Sequence, residues 1–355
     1  MSADKLNGRV TVYKDDTGVR YYSVDTERGR VMIGAAPGSW ERYADDAADA
    51  CAAVLLTSMP RFAGAVGALA DVNKDIPIYA SAAGLRNIKE IINREVNERL
   101  IKDGMAPEEL GGIAFTVTPG VSWMDSVTAV YDGVLFSGEL FSGFDGGWDG
   151  FDAYYHDRLS VHGGFVRSAL EKLKKEDIHT ICPAAGEPIT GGDVDKAFKR
   201  YYELTAPEKR EKKRALILCA SAYGYTRTMA EHAEALLSKS CETELLDVYA
   251  EPAKKLRAAA DAADILLIGT HTINRNAPRE IWDAVTSLDL VNKRGMPYLV
   301  FGSFGWAGDG IKLIDKTLSA MGMRQAAKPV EALFRPAKKD IERLEKAVAR
   351  LTEEK

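Results

Sequence analysis

Three continuous apolar runs in the second half of the chain are each followed by a polar or glycine-bearing loop. The runs are Ala215–Ala220, Asp264–Gly269 and Tyr298–Gly302. Apolar runs of this length are typical of parallel strands whose two faces are both covered by helices. The carboxyl ends of such strands lie at one edge of the sheet, where ligands bind. The pattern therefore predicts an open parallel sheet with a ligand site at that edge.

The loop after the first run, Ser221–Thr226, leads into a helix predicted to reach Leu236 or Leu237. The first turn of a helix has backbone N–H groups without partners and a partial positive charge, so it can hold a phosphate. Ser221 and Thr226 add hydroxyl donors, and Gly224 allows a close turn. No lysine follows the glycine, so a monophosphate fits better than a nucleoside triphosphate. Ordinary helix capping is the alternative interpretation.

The loops after the other two runs are Thr270–Pro278 and Ser303–Gly310. Both carry polar residues, and the second also carries glycines and aromatic residues. We expect them to lie beside the phosphate loop, because parallel strands end at the same edge. We therefore predict that a flat aromatic ligand places one of its ends at this edge of the sheet.

With these three loops in this order, the segment from about residue 213 to 355 resembles flavodoxin, and specifically the flavodoxin-like half of the flavodiiron proteins, or A-type flavoproteins. The resemblance implies that FMN is bound, with its phosphate in the first loop and its isoalloxazine between the other two. It also implies that Trp306 stacks near the ring; a buried core tryptophan is the alternative. The implied FMN-binding residues are Ser221, Tyr223, Gly224, Tyr225, Thr226, Thr270, Thr272, Ile273, Asn274, Ser303, Phe304, Gly305, Trp306 and Gly308. His271 is expected to contribute its backbone first.

The first half of the chain mixes alternating and continuous apolar patterns. Alternation from Val10 to Ile33 predicts an antiparallel meander. Further strands and helices follow, including one long helix from Ala83 to about Asp103 and a glycine- and aromatic-rich surface segment that ends at Tyr155. Mixed strands with flanking helices predict a layered α/β sandwich.

Residues 1–204 resemble the metallo-β-lactamase-like domain of the same flavodiiron proteins. The matching stretches include Trp123–Ser126, Leu135–Glu139 and Pro183–Gly186. The charged, proline-bearing segment 205–213 is predicted to be a linker to the domain at 214–355. The fold class is therefore α/β: an N-terminal αββα sandwich of the metallo-β-lactamase type, followed by a flavodoxin-like doubly wound parallel sheet.

The iron ligands that the family resemblance implies do not occur at the matching positions. The family has a His-x-Glu-x-Asp-His run where this chain has Ser58–Ala63, which contains no His, Asp or Glu. Ser122 and Ala185 stand where two further histidines are implied, and Glu139 alone keeps a carboxylate, at the bridging position. Two divalent irons need about four imidazoles and several carboxylates. No functional diiron site and no iron are therefore expected.

Two further features of this half, a group of possible metal ligands and the vacated pocket, each allow two interpretations. His156 and His162, with Asp152, Asp157 and Glu139, form a local group of possible ligands, but their spacing matches no metal signature and favours solvated surface groups. The vacated pocket is expected to be apolar, and either to bind a small organic molecule or to be filled core. Its predicted lining residues are Met59, Phe62, Val121, Trp123 and Phe141.

Composition limits the function classes further. The net charge of −5 disfavours nucleic acid as a partner. No apolar run reaches the roughly 20 residues needed to cross a bilayer, and no signal peptide is recognised. Four dispersed cysteines without a CxxC pair are typical of the reduced thiols of a cytoplasmic protein.

The sequence thus predicts an FMN-binding flavoprotein with electron-transfer or oxidoreductase activity, related to the flavodiiron proteins but without their iron site. The alternatives are an oxygen or nitric oxide reductase with atypical metal ligands, and a non-enzymatic flavin-bearing protein that binds a partner. The resemblance implies a redox donor such as rubredoxin, ferredoxin or a flavin reductase. It also implies a head-to-tail homodimer.

Overall fold

In a computed structural model, the described residues are 4–35, 40–206 and 210–352. The chain divides into two compact units, residues 1–207 and 208–355. Residues 207–209 of the predicted linker lie outside the described residues. Each unit is considered by itself.

The first unit contains two β-sheets. The seven-stranded sheet has the order β1-β2-β3-β4-β5-β6-β7, antiparallel as far as β4 and parallel from β4 onward. The five-stranded sheet has the order β12-β11-β10-β9-β8. The strands are β1 (Asp4–Lys5), β2 (Val10–Lys14), β3 (Arg20–Thr26), β4 (Gly29–Ile33), β5 (Ala52–Val54), β6 (Pro77–Ala80), β7 (Asn97–Leu100), β8 (Ala114–Val117), β9 (Val127–Tyr131), β10 (Val134–Gly138), β11 (Thr180–Pro183) and β12 (Ile189–Thr190). The predicted meander over 10–33 is confirmed as β2, β3 and β4.

The two sheets pack face to face and helices cover their outer faces. Tyr22 of β3 and Phe136 of β10 meet in the central layer, with ring centroids 5.3 Å apart. Separate apolar clusters lie under the helices on the two outer faces. The predicted αββα sandwich is therefore confirmed. Its helices are α1 (Trp40–Ala48), α2 (Pro60–Ala63), α3 (Val66–Val72), α4 (Ala82–Ile92), α5 (Gly147–Tyr154), α6 (Gly163–Leu173) and α7 (Gly192–Leu204), with single turns at Glu108–Leu110, Phe144–Gly146, Tyr155–Leu159 and Ser160–His162.

The long helix predicted from Ala83 to Asp103 is wrong. Helix α4 ends at Ile92 because Asn93 adopts a left-handed conformation, with φ of 51°. The chain then forms β7, in which Glu98 pairs with Ile78 of β6. This edge strand is half exposed and therefore carries polar residues. In the sequence, these residues look like the solvent-facing side of a continued helix.

The segment before Tyr155, predicted to be surface, is partly buried. It contains α5, a π-helical turn begins at Tyr155, and the Phe151 and Tyr155 side chains are almost fully buried. Their rings lie 4.8 Å and 5.4 Å from that of Tyr201 on α7. The apolar area of these rings therefore belongs to the core under the second sheet.

The second unit is a doubly wound parallel sheet, as predicted. Its order is β14-β13-β15-β16, and β17 and β18 both pair with β16, so the last strand is interrupted. Apolar clusters cover both faces of the sheet. The elements are β13 (Arg214–Cys219), α8 (Tyr225–Leu237), β14 (Glu242–Asp247), α9 (Ala253–Ala262), β15 (Ile265–Gly269), α10 (Arg279–Thr286), α11 (Leu290–Lys293), β16 (Pro297–Phe304), α12 (Asp309–Ala320), β17 (Arg324–Gln325), β18 (Val330–Leu333) and α13 (Lys338–Thr352).

Two predictions that concern the whole chain can be compared with the structure. Cys51, Cys182, Cys219 and Cys241 are free thiols, as predicted. Among the described residues, no helix combines the length and apolar character that a membrane span requires.

Candidate functional site

A cavity opens at the carboxyl edge of the second unit's sheet, where the loops after β13, β15 and β16 meet. It is open to solvent, and the space between its walls and the solvent is about 400 Å³. The structure thus brings the three predicted loops together. The cavity is lined by Ser221, Ala222, Tyr223, Tyr225, Thr226, His271, Thr272, Ser303, Phe304, Gly305 and Phe334.

The loop after β13 forms the turn that starts α8. Gly224 is the N-cap residue, and its φ of 80° is a conformation that glycine adopts at little cost. The Ser221 hydroxyl oxygen accepts a hydrogen bond from the Arg227 N–H at 3.2 Å. The Thr226 hydroxyl oxygen accepts one from the Ser303 N–H, also at 3.2 Å. Both oxygens act as acceptors in these bonds, so both hydroxyl protons can be donated to a ligand.

The loop after β15 is held by a tight two-residue turn. Ile273 and Asn276 exchange backbone hydrogen bonds of 2.8 Å in both directions. Asn274 and Arg275 between them both have positive φ, 48° and 63°, as a type I′ turn requires. The Thr272 hydroxyl accepts a hydrogen bond from the Gly310 N–H at 3.2 Å, which ties this loop to the next one.

At the end of β16 the backbone approaches its neighbour so closely at Gly302 that only glycine fits, and Gly308 lies close to the flexible Glu331 side chain. A Cβ added at Gly302 would lie 1.8 Å from the Thr270 carbonyl oxygen. A Cβ at Gly308 would lie 2.1 Å from a carboxylate oxygen of Glu331. Gly302 therefore allows β16 to approach the backbone at Thr270, where the loop after β15 begins.

Two large aromatic side chains at the cavity stand free of the protein core. Trp306 is 97% exposed and Tyr223 is 86% exposed. The alternative interpretation of Trp306 as a buried core residue is therefore wrong. Exposed aromatic rings beside a cavity are typical of a binding site, because they offer apolar faces to a ligand.

The cavity wall does not include six of the predicted residues, which belong to the same three loops: Gly224, Thr270, Ile273, Asn274, Trp306 and Gly308. Conversely, Phe334 lines the cavity but was not predicted. Its N–H donates to the Phe304 carbonyl at 2.8 Å, and its carbonyl accepts from the Ser303 hydroxyl at 2.6 Å. Phe334 follows β18, so the rule of carboxyl-edge loops would have found it had that strand been recognised.

In the first unit, the position of the first implied iron-binding histidine is occupied by a hydrogen-bonded serine. Ser58 is buried, and its hydroxyl accepts from the Asn87 amide at 3.0 Å and from the Trp123 indole N–H at 3.3 Å. The carboxylate of Asp125 accepts from the Thr57 hydroxyl at 3.0 Å and from the Ser58 N–H at 2.7 Å. Protein groups thus satisfy one another at this position.

Glu139, the carboxylate at the implied bridging position, is also paired within the protein. The Tyr154 hydroxyl donates to its Oε1 at 2.9 Å. Burial, together with this carboxylate, raises the pKa of Tyr154, so the phenol remains a donor. Asp152 instead forms an ion pair with Arg200. Within residues 4–35, 40–206 and 210–352, no group of three or more His, Cys, Asp or Glu side chains could hold a metal ion.

The apolar pocket expected in this unit does not form from the five predicted residues. Val121 and Phe141 lie in the core under the second sheet, whereas Phe62 lies in the core under the first. Phe62 lines a small, partly open cavity. Another lining residue is Arg20, a buried guanidinium that pairs with Asp145 at 3.1 Å and with Glu187. The cavity therefore has a charged wall as well as apolar ones.

The chain is similar in sequence to flavodoxin and to flavodiiron and type A flavoproteins. The flavodoxin family model matches residues 217–347. The chain is 26% identical over 307 residues to the flavo-diiron protein FprA2 of Clostridium acetobutylicum, covering 80% of this chain and 77% of that protein. It is also 26% identical over 305 residues to the type A flavoprotein fprA of Rhodobacter capsulatus, covering 80% and 70%.

Two solved structures share the fold along nearly the whole chain. The rubredoxin oxygen:oxidoreductase of Desulfovibrio gigas superposes with a TM-score of 0.61 at 18% identity, covering 99% of this chain and 98% of that one. The flavodiiron protein of Giardia intestinalis gives 0.57 at 17% identity, covering 99% and 96%. At these identities the likeness shows the fold of the two units.

Proposed function

The chain belongs to the flavodiiron, or A-type flavoprotein, family, and from this premise we propose that it binds FMN in its second unit and transfers electrons without a functional diiron site. The observation that carries the proposal is the cavity at the carboxyl edge of the parallel sheet. It joins a helix N-terminus to the exposed aromatic ring of Tyr223, and the exposed Trp306 directly follows Gly305 of the cavity wall. That combination suits a ligand with an anionic end and a flat apolar end.

The residues of the cavity fit FMN by their chemistry. Ser221, Thr226 and the first-turn N–H groups of α8 would donate hydrogen bonds to the phosphate. The loops 270–278 and 303–308 would border the ring, with Trp306 against one face. A buried nitrogen of His271 in the cavity wall has no hydrogen-bond partner within the described protein, as expected where a ligand completes a site. Bound FMN would supply transfer of one or two electrons.

Loss of the diiron site is proposed from the residues at the implied ligand positions. Ser58, Ser122 and Ala185 stand where imidazoles are implied. A divalent iron pair prefers imidazole and carboxylate ligands. The retained Glu139 is already hydrogen-bonded to Tyr154, and a single carboxylate is too few for two irons.

The molar ratio of iron to FMN tests the proposal directly. Protein purified without added metal would be assayed by elemental analysis and by the visible absorbance of the flavin, and the measurement would be repeated after incubation with Fe²⁺ and desalting. We expect about one FMN and no bound iron per chain. Two irons per FMN would restore oxygen or nitric oxide reduction as the leading function, and absence of FMN would refute flavin binding.

Electron donors and assembly are part of the same proposal. We expect rubredoxin, ferredoxin or a flavin reductase to reduce the flavin, in a cytoplasmic, head-to-tail homodimer. Stopped-flow reduction by each donor and light scattering of the purified protein would measure the two properties. A flavin that no donor reduces would instead favour the non-enzymatic partner-binding function. Rapid, many-turnover consumption of oxygen or nitric oxide would favour the reductase.

A further inference from the structure

The cavity wall of the second unit contains a histidine held in one orientation. His271 lies two residues beyond the end of β15, and its side chain is buried, with the residue 8% exposed. The backbone directly before it is fixed, because Thr270 N–H donates to the Phe301 carbonyl at 2.9 Å and Ala220 N–H donates to the Gly269 carbonyl at 2.8 Å. The imidazole is therefore part of the rigid edge of the sheet.

The contact of one ring nitrogen determines the tautomer. Nδ1 of His271 lies 3.2 Å from the carbonyl oxygen of Ala220. A carbonyl oxygen only accepts hydrogen bonds, so Nδ1 carries the hydrogen. In the neutral imidazole the lone pair is consequently on Nε2.

This lone pair has no partner within the protein. Nε2 of His271 is buried and makes no hydrogen bond to any residue that the structure describes. Buried polar atoms are normally paired, and an unpaired one lowers stability. Because the imidazole lines the cavity together with Ser221, Thr272 and Ser303, a ligand in the cavity can supply the missing donor.

The position of His271 indicates which part of a ligand that donor belongs to. Its Nδ1 is bonded to Ala220, the residue directly before the phosphate loop. Two residues after His271 comes Ile273, at the turn expected to border the ring. The imidazole thus lies between the site for the anion and the site for the aromatic system. In a flavin mononucleotide these two groups are joined by a chain of hydroxyl-bearing carbons.

We propose that His271 is a positioning residue whose Nε2 accepts a hydrogen bond from a hydroxyl of the polyol chain of the flavin. This inference rests on the proposed binding of FMN. The neutral nitrogen selects a chain that bears a hydroxyl over one that does not, and it thereby fixes the ring relative to the phosphate. The sequence predicts that His271 contributes its backbone first; the contact of its ring with Ala220, about fifty residues earlier in the chain, is seen only in the structure.

Two amide variants separate this role from a purely structural one. In His271→Asn the side-chain amide nitrogen can replace Nδ1 as the donor to Ala220, but nothing replaces Nε2. In His271→Gln the amide oxygen can reach the position of Nε2 as an acceptor, but the donor to Ala220 is lost. A structural role predicts that Asn is the better substitute, and a ligand-accepting role predicts that Gln is.

The affinity for FMN would be measured by quenching of flavin fluorescence, with thermal unfolding to check each variant. We expect His271→Asn to raise the dissociation constant about 3- to 10-fold, and His271→Gln to stay within about 2-fold of the wild type. His232→Asn is the matched control, because His232 pairs with Glu345 on α13 and does not line the cavity. It should leave the affinity unchanged.

A flavin phosphate with an alkyl chain in place of the polyol gives a second test on the same proteins. The wild type should bind FMN more tightly than this analogue, and the difference should shrink in His271→Asn. In the wild type, the ¹⁵N resonance of Nε2 should shift toward its hydrogen-bonded position on addition of FMN but not of the analogue.

The outcomes separate this inference from the proposed function. If the wild type does not bind FMN, both fail. If FMN binds but His271→Asn retains full affinity, or the Nε2 resonance responds equally to FMN and the analogue, the proposed function stands and the role of His271 is refuted. The resonance measurement uses the wild type and so decides the question even if a variant fails to fold.

Discussion

Replacing Trp306 by alanine should separate ligand binding from protein stability. The indole is 97% exposed, so its removal takes almost no apolar surface out of the protein core. The free energy of unfolding should therefore change by less than about 0.5 kcal/mol. Any larger effect of the substitution must come through a bound ligand.

The expected effect on FMN affinity follows from stacking. Removing an aromatic side chain that stacks on a nucleic-acid base costs about 1–3 kcal/mol, and the isoalloxazine is a flat ring system of the same kind. The dissociation constant of FMN should therefore rise about 5- to 150-fold. Trp306→Phe should recover much of this loss because it keeps an aromatic face.

Fluorescence titration with FMN and urea denaturation of the FMN-free protein measure the two quantities. Val291→Ala is the control, since Val291 is an apolar residue of the same unit, 49% exposed and not part of the cavity wall. It should change neither quantity. Unchanged FMN affinity in Trp306→Ala, or a loss of stability as large as the loss of binding, would refute stacking by this residue.

Three further predictions concern individual contacts, two in the first unit and one beside the cavity of the second unit. Asp125→Ala should destabilise the first unit by about 1–3 kcal/mol in urea denaturation, because two buried donors lose their acceptor, and Asp125→Asn should recover most of this loss. Gly302→Ala should cost about 1–3 kcal/mol and weaken FMN binding, because its Cβ would lie 1.8 Å from a carbonyl oxygen, whereas Gly164→Ala has open space and should be neutral in the same assays. The hydrogen bond from Arg200 lowers the pKa of Asp152 below its ordinary value of 3.8. The stabilisation by this pair should accordingly be complete above that value and be lost as the pH falls through the lowered pKa; denaturation of Asp152→Asn from pH 7 to pH 2 should show its stability deficit shrinking with acid.

The second unit was the more predictable from sequence because its strands are buried on both faces. Such strands appear as continuous apolar runs, and the position of each following loop is set by the topology of the sheet rather than by loop composition. The loops after Cys219 and Gly269 were located in this way; the third was predicted to begin at Ser303, whereas β16 continues to Phe304. Phe334 was missed because β18 is short and half exposed, and its apolar signal is correspondingly weak.

The errors in the first unit have a different physical origin. The residues of β7 form an edge strand whose pairing with β6 depends on a partner about twenty residues away, and local periodicity does not contain that information. The same limit applies to side-chain contacts. Nothing near Ser58 in the sequence indicates that Asn87 and Trp123 donate to its hydroxyl.

The hydrogen bonds of Ser58 bear on the proposed loss of the iron ligands. A histidine replaced by a small residue would leave unpaired donors and a void in a buried region, and both are destabilising. Here the smaller side chain accepts from an amide and an indole, while Asp125 accepts from the loop that would carry the ligands. Glu139 is likewise engaged by Tyr154. The protein's own groups thus pair with Ser58, Asp125 and Glu139, and a histidine introduced at position 58 would have to break the hydrogen bonds from Asn87 and Trp123 before it could serve as an iron ligand.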